Sequence, residues 1–479
     1  MAEDRHNRIS PTGVDWGTVL VYLLLSVIGW ISIYAAVYNE THSSILDLSQ
    51  SYGKQLAWIG VSLFIGISIL LIDDKYWHIL AQPLYWLSIL LLLGTFVLGK
   101  EVNGAKAWYE FGPVRLQPAE FVKITTSLVL ARVMSSYSFH IHQPRSIFTV
   151  LFFIFLPSGI IILQNDTGSA LVYASFLFMF YRESFSRWFY VTLFLMLALF
   201  LLYFFVEPVL LLILLLAAGA VMEGTINGRW KQKLIYLAVV SLLVFGLYFG
   251  LQAAGIAISF YSQLLIAIGL SLPLVILYAF RHRLKNVYLV LLLFSGSLLY
   301  TETIDYGFDN LLQAHQKERI LDLLGLESDL QGAGYNVNQS KIAIGSGGFW
   351  GKGFLKGTQT KYDFVPEQST DFIFCTIGEE WGFVGSTVVI VLFVVLILRL
   401  IAMGERQEET FGRIYCYCVA GIFLFHVAVN IGMTIGLMPV IGIPLPFISY
   451  GGSSMIAFTV LLFIALKLDS AKKTHITRI

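Results

Sequence analysis

Residues 371–400 read DFIFCTIGEEWGFVGSTVVIVLFVVLILRL. The run 383–400 carries one charge, Arg399, near its end, and has the length that crosses a hydrocarbon core as a helix. Asp371 lies 28 positions before Arg399, about 42 Å as continuous helix, whereas the core is only about 30 Å thick. Asp371 is therefore expected above the core, on a short lead-in helix that ends near Gly378-Glu379-Glu380-Trp381-Gly382. Ser369 or Thr370 is the expected cap of that helix, with Asp371 in its first turn. One reading makes Asp371 a helix-dipole stabiliser worth about 0.3–1 kcal/mol. The other makes it a general base at a wet mouth, with Glu367 four residues earlier.

Composition extends this reading to all 479 residues. Hydrophobic types make up 57% and charged types 13%, against roughly 45–50% and about 25% in soluble domains. Mean hydropathy is +0.76. These values exclude a soluble globular enzyme and a disordered chain. A net charge of +1 gives no reason to expect nucleic-acid binding. The cysteines, Cys375, Cys416 and Cys418, lie in apolar runs and form no disulfide framework. The expected fold is an all-α polytopic integral membrane protein.

Apolar runs give about fourteen spans, near 17–38, 54–72, 79–99, 118–134, 147–163, 168–181, 187–206, 208–223, 233–250, 262–280, 286–301, 383–400, 414–438 and 451–468. Lys and Arg concentrate in alternate links, and the links at 207–208 and 251–261 carry none. Both termini are accordingly expected in the cytoplasm. Basic residues on the other side gather in a loop at 100–117 and a long loop at 302–369. They form either a solvated surface or an anion site.

Four further segments carry polar groups where apolar ones are expected. In 115–123, RLQPAEFVK, Pro118 suits a first helical turn. Gln117, Glu120 and Lys123 then share one face. Glu120 and Lys123 either pair to hold the bundle, or Lys123 or Arg115 faces an anionic ligand. In 164–168, QNDTG, Asp166 reads as a turn or N-cap residue. The run 345–353, GSGGFWGKG, tempts a phosphate-loop reading, but Ser346 and Gly353 stand where that motif needs Gly and Ser or Thr. Tight backbone turns explain its glycines better. In 442–454, GIPLPFISYGGSS, prolines and glycines imply a broken start to the last span.

Together RLQPAEFVK, QNDTG, QSKIAIGSGG (339–348), GKGFLKGTQ (351–359), PEQSTDFIF (366–374) and GIPLPFISYGGSS resemble the SEDS family of bacterial cell-wall proteins, within it the RodA elongation type. The resemblance implies a peptidoglycan glycosyltransferase of the cytoplasmic membrane, active on its outer face. Such enzymes polymerise lipid II beside a class B penicillin-binding protein that crosslinks the strands. It matches the family's essential aspartate to Asp371, and its polar cavity to Arg115, Gln117, Glu120, Lys123, Asp166, Lys341 and Glu367. Asp371 is then the catalytic candidate. Arg115, Lys123, Arg319, Lys341, Glu367 and Trp108 are the substrate-binding candidates. Gln117, Glu120, Asp166, Ser449 and Ser453 shape the cavity. A divalent cation, Mg or Mn, is a further expectation without assigned ligands.

Two departures stand out. The family's basic residue before the tryptophan is here Ala107, with Lys106 one position earlier. Family members usually have ten spans, and about 100 extra residues, 187–285, are read as four added ones. The organisation is then an N-terminal transmembrane half, residues 1–186, the insertion 187–285, and a C-terminal transmembrane region, residues 286–479. The rival readings are a lipid II flippase, a division-type FtsW-like polymerase, and a non-catalytic scaffold.

Overall fold

The computed structural model describes the chain except residues 1–12, 39–44, 103, 113, 142, 228–240, 251–257, 282–284, 311–316, 319, 322–323, 325–332, 363 and 477–479. It divides into two compact units, Met1–Phe185 with Glu318–Ile479, and Ser186–Lys317.

The first unit begins with α1 (Trp16–Val37), α2 (Ser51–Leu71) and α3 (Asp74–Leu98). The Asp15 carboxylate caps α1 by accepting from Thr18 N. A small antiparallel sheet follows, β1 (Lys100–Val102), β2 (Ala105–Phe111) and β3 (Val114–Leu116). The helical membrane fold is as expected, and this small sheet in the 100–117 link is an addition to it, its side chains bonding across it and onto α3. The Tyr109 hydroxyl donates to Leu91 O at 2.9 Å and the Lys106 ammonium to Phe96 O at 2.7 Å.

Next come α4 (Pro118–Met134), with Pro118 in its first turn, and α5 (Pro144–Leu163). The expected span 168–181 is three pieces, α6 (Thr167–Leu171), a 3₁₀ turn Val172–Ser175 and α7 (Phe176–Arg182). Asp166 caps α6, accepting from Ser169 N at 3.0 Å.

The second unit, taken by itself, holds α8 (Arg187–Phe205), α9 (Pro208–Asn227), α10 (Ser241–Gly250), α11 (Phe260–Arg281) and α12 (Lys285–Asn310). It takes in 187–285 and the helix that follows. Leu212, Val244, Leu264, Ala267 and Ile268 form its small buried core. Most of its other described apolar side chains stand exposed, as lipid-facing helices require.

The first unit resumes with α13 (Ala333–Gly347), α14 (Thr358–Lys361), α15 (Ile373–Arg406), α16 (Thr410–Thr434) and α17 (Gly452–Ile476). The segment 302–369 is thus not simply a loop. Helix α12 runs on to Asn310, and QSKIAIGSGG is largely helical because it packs on α15. Ala343 on α13 joins a buried cluster with Val365, Phe372 and Cys375.

Helix α15 breaks at Gly382 (φ 63°, ψ −157°), which divides it into a lead-in piece and a longer span, as the length of 371–400 requires. A β-carbon at Gly382 would lie 2.3 Å from Gly351 N. The Gly-rich stretch threads this kink: Lys352 N and Gly353 N donate to Glu379 O and Glu380 O, each at 3.0 Å, and Phe383 N donates to Gly348 O at 2.9 Å. Gly347 and Gly351 are close-packing positions, a β-carbon there lying 2.0 Å from Gly378 O and 2.1 Å from Glu380 O, while Gly348, Gly351 and Gly353 turn at positive φ as expected. The lead-in helix starts at Ile373 with Phe372 as its N-cap and no side-chain cap. That corrects the expected capping by Ser369 or Thr370, whose backbone instead turns around Glu367.

Of the described helices long and apolar enough to cross a membrane, α16 and α17 are the most buried. Phe447, between them, is buried at φ 65°. Such backbone is costly for a bulky residue. It is held by rings of Tyr22 (centroids 4.9 Å), Phe423 (5.4 Å) and Phe458 (6.1 Å). At the end of α15 remote from Asp371, Arg399 Nη1 meets Asp15 Oδ1 at 2.7 Å and Arg406 Nε meets Asp469 Oδ1 at 2.6 Å. Among the described residues, eight helices are long and apolar enough to cross a membrane, and three shorter apolar ones accompany them in the second unit.

Candidate functional site

Asp371 sits half-buried in the turn before α15, and its main chain is fastened from two directions. Asn430 Nδ2 on α16 donates to Asp371 O at 2.9 Å and to Ile443 O at 2.8 Å. Ser449 Oγ donates to Thr370 O at 2.7 Å, and Tyr450 N donates to Ser369 O at 2.9 Å. The segment 442–451 therefore runs alongside 369–371 like a splint. At Gly442 (φ 67°) a β-carbon would sit 3.4 Å from Asp371 Oδ2, so the carboxylate lies against bare backbone. Glu367, exposed and at φ 54°, turns its carboxylate onto Thr370 Oγ1 at 2.8 Å. Its carbonyl accepts from Thr370 N and Phe372 N. The second carboxylate is thereby held one short turn from the first.

Glu120 and Lys123 form an ion pair at 2.8 Å, their side chains 6% and 4% exposed. Lys123 Nζ also lies 3.1 Å from His426 Nε2 and 4.5 Å from the centre of the Phe458 ring. His426 Nδ1 lies 3.1 Å from Pro444 O. A carbonyl only accepts, so Nδ1 carries the hydrogen and Nε2 offers its lone pair to the ammonium. The expectation of Lys123 as an anion binder thus meets a closed arrangement. Its charge is enclosed by Glu120, an imidazole and a ring face, so it holds the bundle in this geometry.

Gln117 Nε2 donates to Asp166 Oδ2 at 2.7 Å, joining the start of α4 to the 164–168 corner. Arg115 is exposed, and its Nε donates to Glu110 Oε1 at 3.3 Å. Lys100 on β1 flanks the same carboxylate. These partners, the Lys100 ammonium foremost, hold the Glu110 carboxyl below the usual range. Lys341 is exposed on α13, its Nζ over Gly436, where a β-carbon would lie 2.4 Å away. Trp108 is half-buried in β2, and Ser453 is buried in the first turn of α17. Arg319 lies outside the described residues.

The structure therefore joins Asp371, Glu367 and Ser449 into one constellation with the 442–451 segment. Glu120 and Lys123 reach that same segment through His426. Gln117 and Asp166 form a neighbouring pair, and Trp108, Arg115 and Lys341 stand outside these direct contacts. Sequence reasoning missed three residues. His426 and Asn430 stand four apart inside the apolar run 414–438, and the rule that flagged Glu120 and Lys123 applies to them equally. Glu379, fully buried, accepts from Lys352 Nζ at 2.6 Å and from the backbone N–H of Thr358, Gln359 and Thr360. Its signal was an ionisable pair, Glu379-Glu380, beside a helix-breaking glycine. Among the described residues, no three His, Cys, Asp or Glu side chains converge as a metal site.

The family model for FtsW, RodA and SpoVE, described as cell cycle protein, matches residues 15–213 and 205–474. The chain is 33% identical over 450 residues to the peptidoglycan glycosyltransferase RodA of Treponema pallidum (strain Nichols), covering 92% of this chain and 94% of that protein. It is 29% identical over 423 residues to the peptidoglycan glycosyltransferase MrdB of Escherichia coli (strain K12), covering 88% and 86%. It also matches a chain of a solved structure described as structural coordination of polymerization and crosslinking by a peptidoglycan synthase complex. That match has a TM-score of 0.59 and 23% identity, covering 96% of this chain and 98% of the other. At that identity the structure speaks for the fold.

Proposed function

The chain belongs to the FtsW/RodA/SpoVE family, and we propose that it is a peptidoglycan glycosyltransferase of the elongation type. Its substrate is lipid II, a disaccharide-pentapeptide on undecaprenyl pyrophosphate. It works in the bacterial cytoplasmic membrane, with its site on the outer face and its termini inside. The relatives named RodA and MrdB support the activity and the type. A class B penicillin-binding protein is the proposed partner, by analogy with the synthase complex.

The observation that carries the chemistry is Asp371, a half-buried carboxylate whose main chain is fixed by Asn430 and Ser449. A sugar hydroxyl attacks the anomeric carbon of a second sugar that carries the lipid pyrophosphate. A C–O bond forms there, and the bond from that carbon to the pyrophosphate oxygen breaks. The hydroxyl proton passes to the Asp371 carboxylate, and the bonding pair leaves with undecaprenyl pyrophosphate. A placed base of this kind contributes about 10²–10⁴-fold. Pyrophosphate needs charge neutralisation rather than a proton, and exposed Arg115 and Lys341 are the residues we assign to it. Glu367 and Trp108 are assigned to the sugars. No step is derived through a metal, and a divalent cation enters as a variable of the test.

The test is polymerisation of purified lipid II by wild type and Asp371→Asn, each complexed with its transpeptidase, with and without divalent cation. Glycan strands from wild type alone, with both complexes intact, support the reading. Strands from both remove Asp371 as the base. No strands from either, beside lipid II translocation in sealed vesicles, make the protein a flippase.

A further inference from the structure

The buried polar side chains of α16 take no reacting group in the chemistry just described, yet they reach both Asp371 and the Glu120–Lys123 pair. His426 and Asn430 are 1% and 0% exposed. Four residues apart on one helix, they lie on the same face. They reach consecutive carbonyls of the 442–451 segment, His426 to Pro444 O at 3.1 Å and Asn430 to Ile443 O at 2.8 Å. Each then reaches further, His426 to Lys123 Nζ at 3.1 Å and Asn430 to Asp371 O at 2.9 Å.

We infer that His426 and Asn430 are positioning residues that tie the placement of Asp371 to the buried Glu120–Lys123 pair. The proposal rests on the reading of Asp371 as the base, and it names what aims that base. Ser449, Tyr450 and the rings around Phe447 hold the later part of the 442–451 segment, and His426 and Asn430 take the carbonyls of its start, Ile443 and Pro444. The segment is rich in Pro and Gly and forms no helix until Gly452. Its internal hydrogen bonds are local, such as Leu445 N to Ser449 Oγ at 2.8 Å.

Each anchor has one workable chemistry. Two carbonyls face the Asn430 amide, so its nitrogen must point at them. An aspartate there would set a carboxylate oxygen against two carbonyl oxygens. The imidazole donates at Nδ1 and accepts at Nε2, so it bridges a carbonyl and an ammonium that do not bond each other. Displacing a reacting group by about 1 Å from a distance costs up to about 10²-fold in rate. Removing these anchors should therefore act on turnover more than on substrate affinity.

The experiment uses the full chain with its transpeptidase, purified lipid II, and separate measurement of kcat and KM. Asn430→Ser should lower kcat by about 10- to 100-fold with KM changed less than about twofold. His426→Leu should lower kcat in the same way. His426→Asn, which keeps a donor near Nδ1, should recover part of the loss. In an Asp371→Glu background, where the carboxylate is already displaced, Asn430→Ser should cost much less than in wild type.

Normal kcat in Asn430→Ser beside an inactive Asp371→Asn overturns the positioning role alone. So do losses of Asn430→Ser and Asp371→Glu that simply add, because a less well folded protein loses active fraction regardless of Asp371. Full turnover by Asp371→Asn overturns the base reading and this inference with it.

Discussion

Buried polar side chains behave differently in the two units. In Ser186–Lys317, those described bond to their own neighbourhood. Ser271 Oγ returns to Ile268 O, Thr301 Oγ1 to Leu298 O, and Gln263 Nε2 to Ile258 O. Its longer side-chain bonds, Tyr203 to Asp305 and Tyr261 to Glu302, are exposed. The other unit has such local bonds too, as from Ser26 Oγ to Tyr22 O and Ser127 Oγ to Lys123 O, but adds buried bonds across the sequence: Lys123 with His426, Asn430 with Asp371, Ser340 Oγ with Thr434 O at 2.8 Å. A local bond satisfies a polar atom in almost any helix packing. A long-range buried bond is satisfied in one packing only, and its loss leaves an atom stranded where that is costly. Chemistry that needs a carboxylate in one place belongs in the second kind of interior.

The largest effect expected from breaking this contrast is at Asp371. Asp371→Asn should lower polymerisation about 10²–10⁴-fold with little change in stability, because its main-chain bonds survive the exchange. Glycan-strand yield and thermal unfolding of one preparation check both halves.

Next in size is the buried ion pair. Lys123→Met leaves Glu120 charged and enclosed, which costs about 3–5 kcal/mol. The double substitution Glu120→Gln with Lys123→Met should restore much of that stability, since no lone charge remains. Denaturation of the detergent-solubilised protein measures this. If the double variant is as unstable as the single one, shape rather than charge holds α4 against α16.

Asp469→Asn comes third. The Asp469 carboxylate is 1% exposed and takes Arg406 at both oxygens, one of them from Nε at 2.6 Å. Charge-assisted bonds are worth about 1.5–3 kcal/mol, and a loss of that order is expected in the same assay. In the second unit, Asp305→Asn removes the exposed bond from Tyr203 and should change stability by less than about 1 kcal/mol. It should leave polymerisation within about twofold of wild type. A larger loss of activity would show that Ser186–Lys317 serves the chemistry.

Much of this contrast was legible in the sequence, and the reasons differ by residue. The placement of Asp371 ahead of the span and a break near 378–382 followed from length, because an unbroken helix from 371 to Arg399 overruns the bilayer, whereas the choice of Asp371 as catalytic candidate came from the family resemblance. Glu120 and Lys123 announced themselves by charge. The same rule reaches His426 and Asn430, but without a formal charge such residues are common enough inside apolar runs to pass as satisfied core. Their importance is a matter of distance in sequence, 303 residues from Lys123 and 59 from Asp371, and no local pattern encodes a partner that far away. The β1–β3 sheet was missed for a related reason. Short strands in a polar link have no period to read, and their pairing rests on contacts such as Tyr109 to Leu91 O.

The smallest effect concerns that sheet. Glu110 stands directly across from Arg115 in the β2–β3 register, with Lys100 on β1 at its other side. One carboxylate thus ties all three strands by their charged ends. Its partners hold its pKa below 4.5, the ordinary value. A carboxyl depressed in the folded state contributes stability that is fully present above its unfolded pKa and is lost as pH falls through the folded one. Nothing should therefore change at neutral pH. Below about pH 4.5, amide exchange in 100–116, corrected for its intrinsic pH dependence, should rise relative to α3. With Glu110→Gln that rise should be absent, and the extra exchange should already be present at neutral pH. The strands are exposed, so the difference should be small and should shrink further in high salt. Equal exchange in wild type and variant across that window would mean that the tie from Tyr109 to α3 alone holds the sheet. Arg115 would then be free to leave Glu110 for a phosphate without disturbing it.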